Sequence, residues 1–203
     1  MMRNTTTPAT TRRRGFTLIE VMIVIALVAI VVSLAGPSFR EYILMQRLRS
    51  VQSQLVTDLN YARSEAVSRG VPVQLRMQTA SDQTCYIIYS RPSADLSTTN
   101  PCDCTAAAGS RCPASSSEIK TASAPTSEGV AFWQAASQTA YMTINPRTGA
   151  PDTVGAAEMA TSADYAIEAR LVDASRRFKV SVSPAGRVQV CSPSGTVAGM
   201  PVC

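Results

Sequence analysis

Hydrophobic and polar positions divide the chain into four stretches. Residues 1–14 are polar and close on Arg12-Arg13-Arg14. Phe16 to Ala35 then reads FTLIEVMIVIALVAIVVSLA, with Glu20 as its single charge. About 20 apolar residues of helix span a hydrocarbon core, and arginines before such a span stay on the cytoplasmic side. Beyond Pro37, apolar residues recur at Leu44, Leu48, Val51, Leu55, Leu59, Ala62 and Ala66. Those steps of three and four trace one face of a helix. Arg47, Arg49, Gln52, Gln54, Asp58 and Arg63 are read as lying largely off the stripe. Gly70 and Pro72 stop the helix, which is therefore predicted to run from Thr17 to Arg69.

The remainder reads as strands and turns. Val71–Met77 and Cys85–Ser90 are short β-rich runs, followed by Val130–Trp133 and Tyr141–Ile144. Asn145-Pro146-Arg147-Thr148-Gly149 is a turn by composition. Tyr165–Val172, Arg177–Ser183 and Arg187–Cys191 alternate apolar with polar positions across two short connections, the pattern of an antiparallel meander. Residues 91–129 are rich in Ser, Thr, Ala and Pro and are predicted to form a long loop. A long helix laid on antiparallel sheet makes the fold class α+β.

Charge adds less than its total of +5 suggests. Arg3, Arg12, Arg13 and Arg14 all precede the apolar run; without them, 15 basic side chains face 14 acidic ones. Overall basicity is then no argument for nucleic-acid binding. Histidine is absent, which removes the commonest general base and metal ligand and leaves no Ser-His or Cys-His nucleophile pair; no enzyme activity is expected. The six cysteines, at 85, 102, 104, 112, 191 and 203, all follow the apolar run. An even number in an exported part points to disulfides. Cys85, Cys102, Cys104 and Cys112 form a conceivable zinc set, but the compartment favours disulfides, and neither metal nor cofactor is expected. Direct pairing of Cys102 with Cys104 would be strained, so Cys85 and Cys112 are expected to take one each, in either order.

Glu20 is the informative anomaly, because a carboxylate in a membrane segment is costly and usually functional. The run Arg14-Gly15-Phe16-Thr17-Leu18-Ile19-Glu20 resembles the class III signal peptide of type IV pilins and type II secretion pseudopilins. The resemblance implies that a prepilin peptidase cuts after Gly15 and methylates the amine of Phe16. It implies too that Glu20, the fifth mature residue, pairs with the Phe16 amine of a neighbouring subunit during assembly. The segment from Leu59 to Val73, LNYARSEAVSRGVPV, resembles the helix end and first strand of the GspH/FimT branch of minor pilins and pseudopilins. The divisions that follow are a leader over 1–15, a transmembrane and filament-core helix over 16–36 and an amphipathic helix over 37–70. A β-rich head covers 71–203, with its loop at 91–129.

The same family often closes a C-terminal loop with a disulfide, which assigns Cys191 to Cys203; the model of loop entropy values that bond at about 3 kcal/mol. From residue 170 onward the charges are Arg170, Asp173, Arg176, Arg177, Lys179 and Arg187. If the strands pair as a meander, Lys179 and Arg187 are expected near each other, with Arg176 and Arg177 at one end. Such cations grip phosphates without reading sequence. Some FimT-type pilins carry Gly-Arg-x-Arg here; Gly186-Arg187-Val188-Gln189 matches its first two positions and has glutamine for the second arginine. The function expected is a minor type IV pilin with double-stranded DNA as a candidate ligand, the alternative being a GspH-like pseudopilin of type II secretion. The implied partners are other pilins or pseudopilins, the prepilin peptidase and an inner-membrane assembly platform. The implied location is the bacterial inner membrane, cytoplasmic at the N-terminus and periplasmic at the head, and then a pilus or pseudopilus.

Overall fold

In the computed structural model, residues 15–91, 101–134, 141–152, 165–193 and 197–203 are described, except for the side chains of residues 34–37 and 152. The leader arginines fall outside that description. The chain divides into two compact units, residues 1–42 and residues 43–203.

Helix α1 runs over Leu18–Arg69. Its start has a local cause, since the Thr17 hydroxyl accepts the backbone N–H of Glu20 at 3.4 Å. Threonine followed three residues later by glutamate is the capping-box sequence, and an acidic residue in the first turn suits the helix dipole. Every residue from Gly15 to Ser33 is exposed. Among the described residues no single helix is long and apolar enough to cross a membrane; the helical pieces Leu18–Ser33 and Ser38–Arg69 meet that requirement together.

In the second unit the predicted stripe is buried: Leu48, Leu55, Ala62 and Ala66 are fully enclosed and Leu59 nearly so. The helix ends at Gly70, whose φ of +64° is the left-handed cap that glycine adopts without strain. Two antiparallel sheets follow. The first combines β1 (Val73–Thr79), β2 (Gln83–Ser90), β3 (Ser117–Pro125), β5 (Tyr141–Ile144) and β6 (Pro151–Asp152) in the order β3-β2-β1-β5-β6. The second is β4 (Val130–Trp133), β7 (Tyr165–Leu171), β8 (Arg177–Val182) and β9 (Val188–Cys191), in the order β4-β7-β8-β9.

The helix packs on both sheets. Leu55, Leu59, Ala62 and Ala66 meet Val73, Leu75 and Ile88 of the first sheet and Ile167, Val180 and Val182 of the second. Nearer the N-terminal end, Met45 and Leu48 join Val130, Leu171 and Phe178. Burying one such leucine or phenylalanine contributes about 1.5–3 kcal/mol. Strand β2 is buried on both sides because its outer residues Cys85, Ile87 and Tyr89 pack against Cys102 and Cys104. The segment around these cysteines thus forms a further layer over the first sheet.

The long loop predicted over residues 91–129 is corrected at its C-terminal end, where Ser117–Pro125 pairs with β2 as a nine-residue edge strand. Its core-facing positions are Ala122 and Ala124, opposite Tyr86 and Thr84. Alanines fit beside a large tyrosine but give no apolar alternation to read. A 3-10 turn over Thr126–Glu128 completes the connection to β4.

Candidate functional site

The three residues expected to govern processing and assembly lie together at the start of α1. Gly15 precedes the helix, and a Cβ there would meet nothing within 4 Å. Phe16 is 82% exposed, and Glu20 is exposed one turn later. The face that follows presents Leu18, Ile19, Met22, Ile23, Ile25 and further apolar side chains to the surroundings, each more than half exposed. A contiguous apolar surface of this size is covered by lipid or by other protein in a stable setting.

The expected cationic cluster is dispersed. Arg176 ends the turn between β7 and β8, where its carbonyl accepts the Leu171 N–H at 3.0 Å. Arg177 stands opposite Arg170, and its guanidinium lies 3.7 Å from Glu168. Lys179 stands opposite Glu168 on one side and Cys191 on the other. Arg187 follows the β8–β9 turn, and its backbone N–H donates to the Ser183 hydroxyl at 3.1 Å. Four strand positions therefore separate Arg187 from the partner of Lys179, about 13 Å at 3.3 Å per residue. The expectation that Lys179 and Arg187 come near each other is corrected: the register sets them at opposite ends of the hairpin. Arg170 is engaged elsewhere, 4.9 Å above the Trp133 ring, a cation–π arrangement.

Two groups expected off the stripe, Asp58 and Arg63, tie the head together. Asp58 is only 1% exposed and accepts a hydrogen bond from the Tyr86 hydroxyl at 2.7 Å and from Lys120 Nζ at 2.5 Å. It stands three residues after Leu55 and four before Ala62, so its spacing places it on the buried stripe after all. Burial, with the Asp58 hydrogen bond second, pushes the Tyr86 phenol well above its ordinary range. Arg63 donates to the Gly186 carbonyl at 3.0 Å. A Cβ on Gly186 would lie 2.8 Å from the Gly149 carbonyl oxygen, so the β5–β6 and β8–β9 turns meet beside this arginine.

Three disulfides link Cys85 to Cys104, Cys102 to Cys112 and Cys191 to Cys203. The last closes a loop whose end is also held by backbone bonds, Ser192 N–H to the Pro201 carbonyl at 2.8 Å and Cys203 N–H to the Ser192 carbonyl at 3.4 Å. Around the first pair, the Cys104 N–H donates to Gln78 Oε1 at 2.7 Å and Arg76 Nη1 donates to the Cys102 carbonyl at 3.1 Å.

Compared with known families, residues 52–186 match the one described as type II transport protein GspH. Residues 10–36 match the prokaryotic N-terminal methylation motif, a stretch that contains Gly15, Phe16 and Glu20. Among solved structures the chain is similar to the minor pseudopilin EpsH from the type 2 secretion system of Vibrio cholerae. That similarity has a TM-score of 0.40 and 9% identity, covering 71% of this chain and 96% of the other. No curated protein matches.

Proposed function

The chain belongs to the GspH family, and from that premise we propose that it is a minor pseudopilin, a structural subunit built through α1 into a filament that serves protein export. The observation that carries this reading is the exposed apolar surface of Phe16–Ser33, joined to a head that buries its own core. A helix of that composition needs lipid before assembly and neighbouring helices after it. The methylation motif supports cleavage after Gly15 by a prepilin peptidase and methylation of Phe16. The Glu20 carboxylate then pairs with the Phe16 amine of the next subunit, cancelling two charges that are expensive in an apolar filament core. Insertion and extraction involve an inner-membrane platform, with the head on the periplasmic side, where its disulfides form.

Type II secretion is preferred to a pilus because the cations that favoured DNA capture are spread along the hairpin, and Arg177 lies beside Glu168. The test is deletion and complementation. Loss of an exported enzyme from the medium, with pilus-driven motility intact, supports the proposal. Loss of motility with export intact overturns it in favour of a minor pilin. Salt-sensitive binding of double-stranded DNA that disappears when Arg176, Arg177 and Arg187 are all glutamine would restore DNA capture.

A further inference from the structure

Exported cysteines appear in the order 85, 102, 104, 112, 191 and 203. Pairing each thiol with the next would give Cys85–Cys102, Cys104–Cys112 and Cys191–Cys203. Only the last of these is present; the other two bonds cross, joining Cys85 to Cys104 and Cys102 to Cys112. The crossed and consecutive arrangements differ solely in which cysteine of Cys102-Asp103-Cys104 meets Cys85. Chain entropy does not select the crossed form. Its bonds span 19 and 10 residues, the consecutive ones 17 and 8 by position, so loop closure favours the consecutive form by less than about twofold.

Selection therefore falls to contacts. Gln78 stands directly opposite Cys85 in the β1–β2 register, and Arg76 stands opposite Ile87 two positions away on the same face. Gln78 Oε1 accepts the Cys104 N–H, and Arg76 Nη1 holds the Cys102 carbonyl. Together they seat Cys104 over the strand pair that carries Cys85. Sliding the segment by two residues, to seat Cys102 there instead, would break both bonds. We propose that Gln78 and Arg76 determine the pairing specificity of the cysteine cluster, directing Cys85 to Cys104 through exchange from a consecutive Cys85–Cys102 bond.

The exchange is balanced within the chain. The Cys104 thiolate attacks Cys85 Sγ, the Cys85–Cys104 bond forms, the Cys85–Cys102 bond breaks, and the electron pair leaves on Cys102 Sγ. No net oxidation occurs in that step. Cys102 and Cys112 then close their own bond by passing two electrons and two protons to a disulfide-bearing oxidant of the exporting compartment. Cys85, Cys102 and Cys104 lie in one buried cluster with the half-buried Cys112 packed against it, which places the exchanging groups within reach of one another.

The test uses the full chain in detergent, reduced and then equilibrated in a glutathione redox buffer, with free thiols alkylated before digestion. A protease cutting at Asp103 separates Cys102 from Cys104, so mass spectrometry can assign each bond. The wild-type chain is expected to hold the crossed pairs. In the Arg76→Leu/Gln78→Leu variant the ratio of consecutive to crossed pairs should rise at least about tenfold, as two structural hydrogen bonds are lost. Gln78→Leu alone, which leaves the Arg76 bond in place, should give a rise of several-fold. Consecutive pairing in the wild type, or an unchanged ratio in Gln78→Leu, overturns the proposal.

Discussion

Removing the Asp58 carboxylate should destabilise the head more than any surface charge would. In Asp58→Ala the fully buried Tyr86 hydroxyl loses its 2.7 Å acceptor, and an unsatisfied buried hydroxyl costs about 1–3 kcal/mol. The bond to Lys120 is lost as well, but that side chain is 40% exposed and regains water, so its share is discounted to under about 1 kcal/mol. The expected total is about 1–4 kcal/mol. Tyr86→Phe should cost less, about 1–2 kcal/mol, because Asp58 keeps Lys120. The double variant Asp58→Ala/Tyr86→Phe should cost less than the sum of the two by about 1–2 kcal/mol, since the second change removes the orphaned group that the first creates. Urea unfolding of a fragment beginning at Ile43, the start of the second compact unit, measures all three. A single-variant loss below about 0.5 kcal/mol, or strict additivity in the double variant, would refute the reasoning.

Further outcomes follow from the same contacts. Burial raises the phenols of Tyr86 and Tyr165 far above their unfolded value, so stability should be complete below about pH 10 and decline as pH rises beyond it; unfolding midpoints from pH 8 upward should show this, with a shallower decline in Tyr86→Phe. Gly186→Ala forces a side chain into φ +76° and within 2.8 Å of the Gly149 oxygen, which should cost about 2–4 kcal/mol and lower the thermal midpoint by roughly 5–15 °C. Cys203→Ser opens a bond of sequence separation 12 and should cost about 3 kcal/mol in the loop-entropy model, with hydrogen exchange accelerating at Ser192 and in the C-terminal residues. Glu20→Ala should leave the unfolding of the head unchanged while abolishing recovery of the chain in sheared filaments.

Periodicity made much of this molecule readable in advance. The helix stripe and the alternating strands of the meander were legible because their buried positions carry Leu, Val, Ile and Phe, whose spacing reports the face directly. Strand β3 was hidden because its inner positions are Ala122 and Ala124, small residues that give no apolar alternation; its strand character comes from pairing with β2, with the half-exposed Lys120 bonded to Asp58. Strand β6, two residues beginning with a proline, is equally silent. Asp58 shows how residue type can mislead: a carboxylate looks solvent-facing even where the spacing places it inside. The start of α1 was legible as a motif because its distinctive residues fall in one short run, within the stretch that matches the N-terminal methylation motif. The cationic hairpin was not legible as a site, since the distance between Lys179 and Arg187 depends on a register that composition does not encode.

The central claim, a processed subunit built into a filament through α1, is tested most directly by mass spectrometry of the chain's N-terminus in sheared filament fractions. The account predicts a chain beginning at N-methylated Phe16 and recovered with other pseudopilins. A chain still carrying Arg12-Arg13-Arg14, or a processed chain confined to the membrane and absent from filaments, would contradict it.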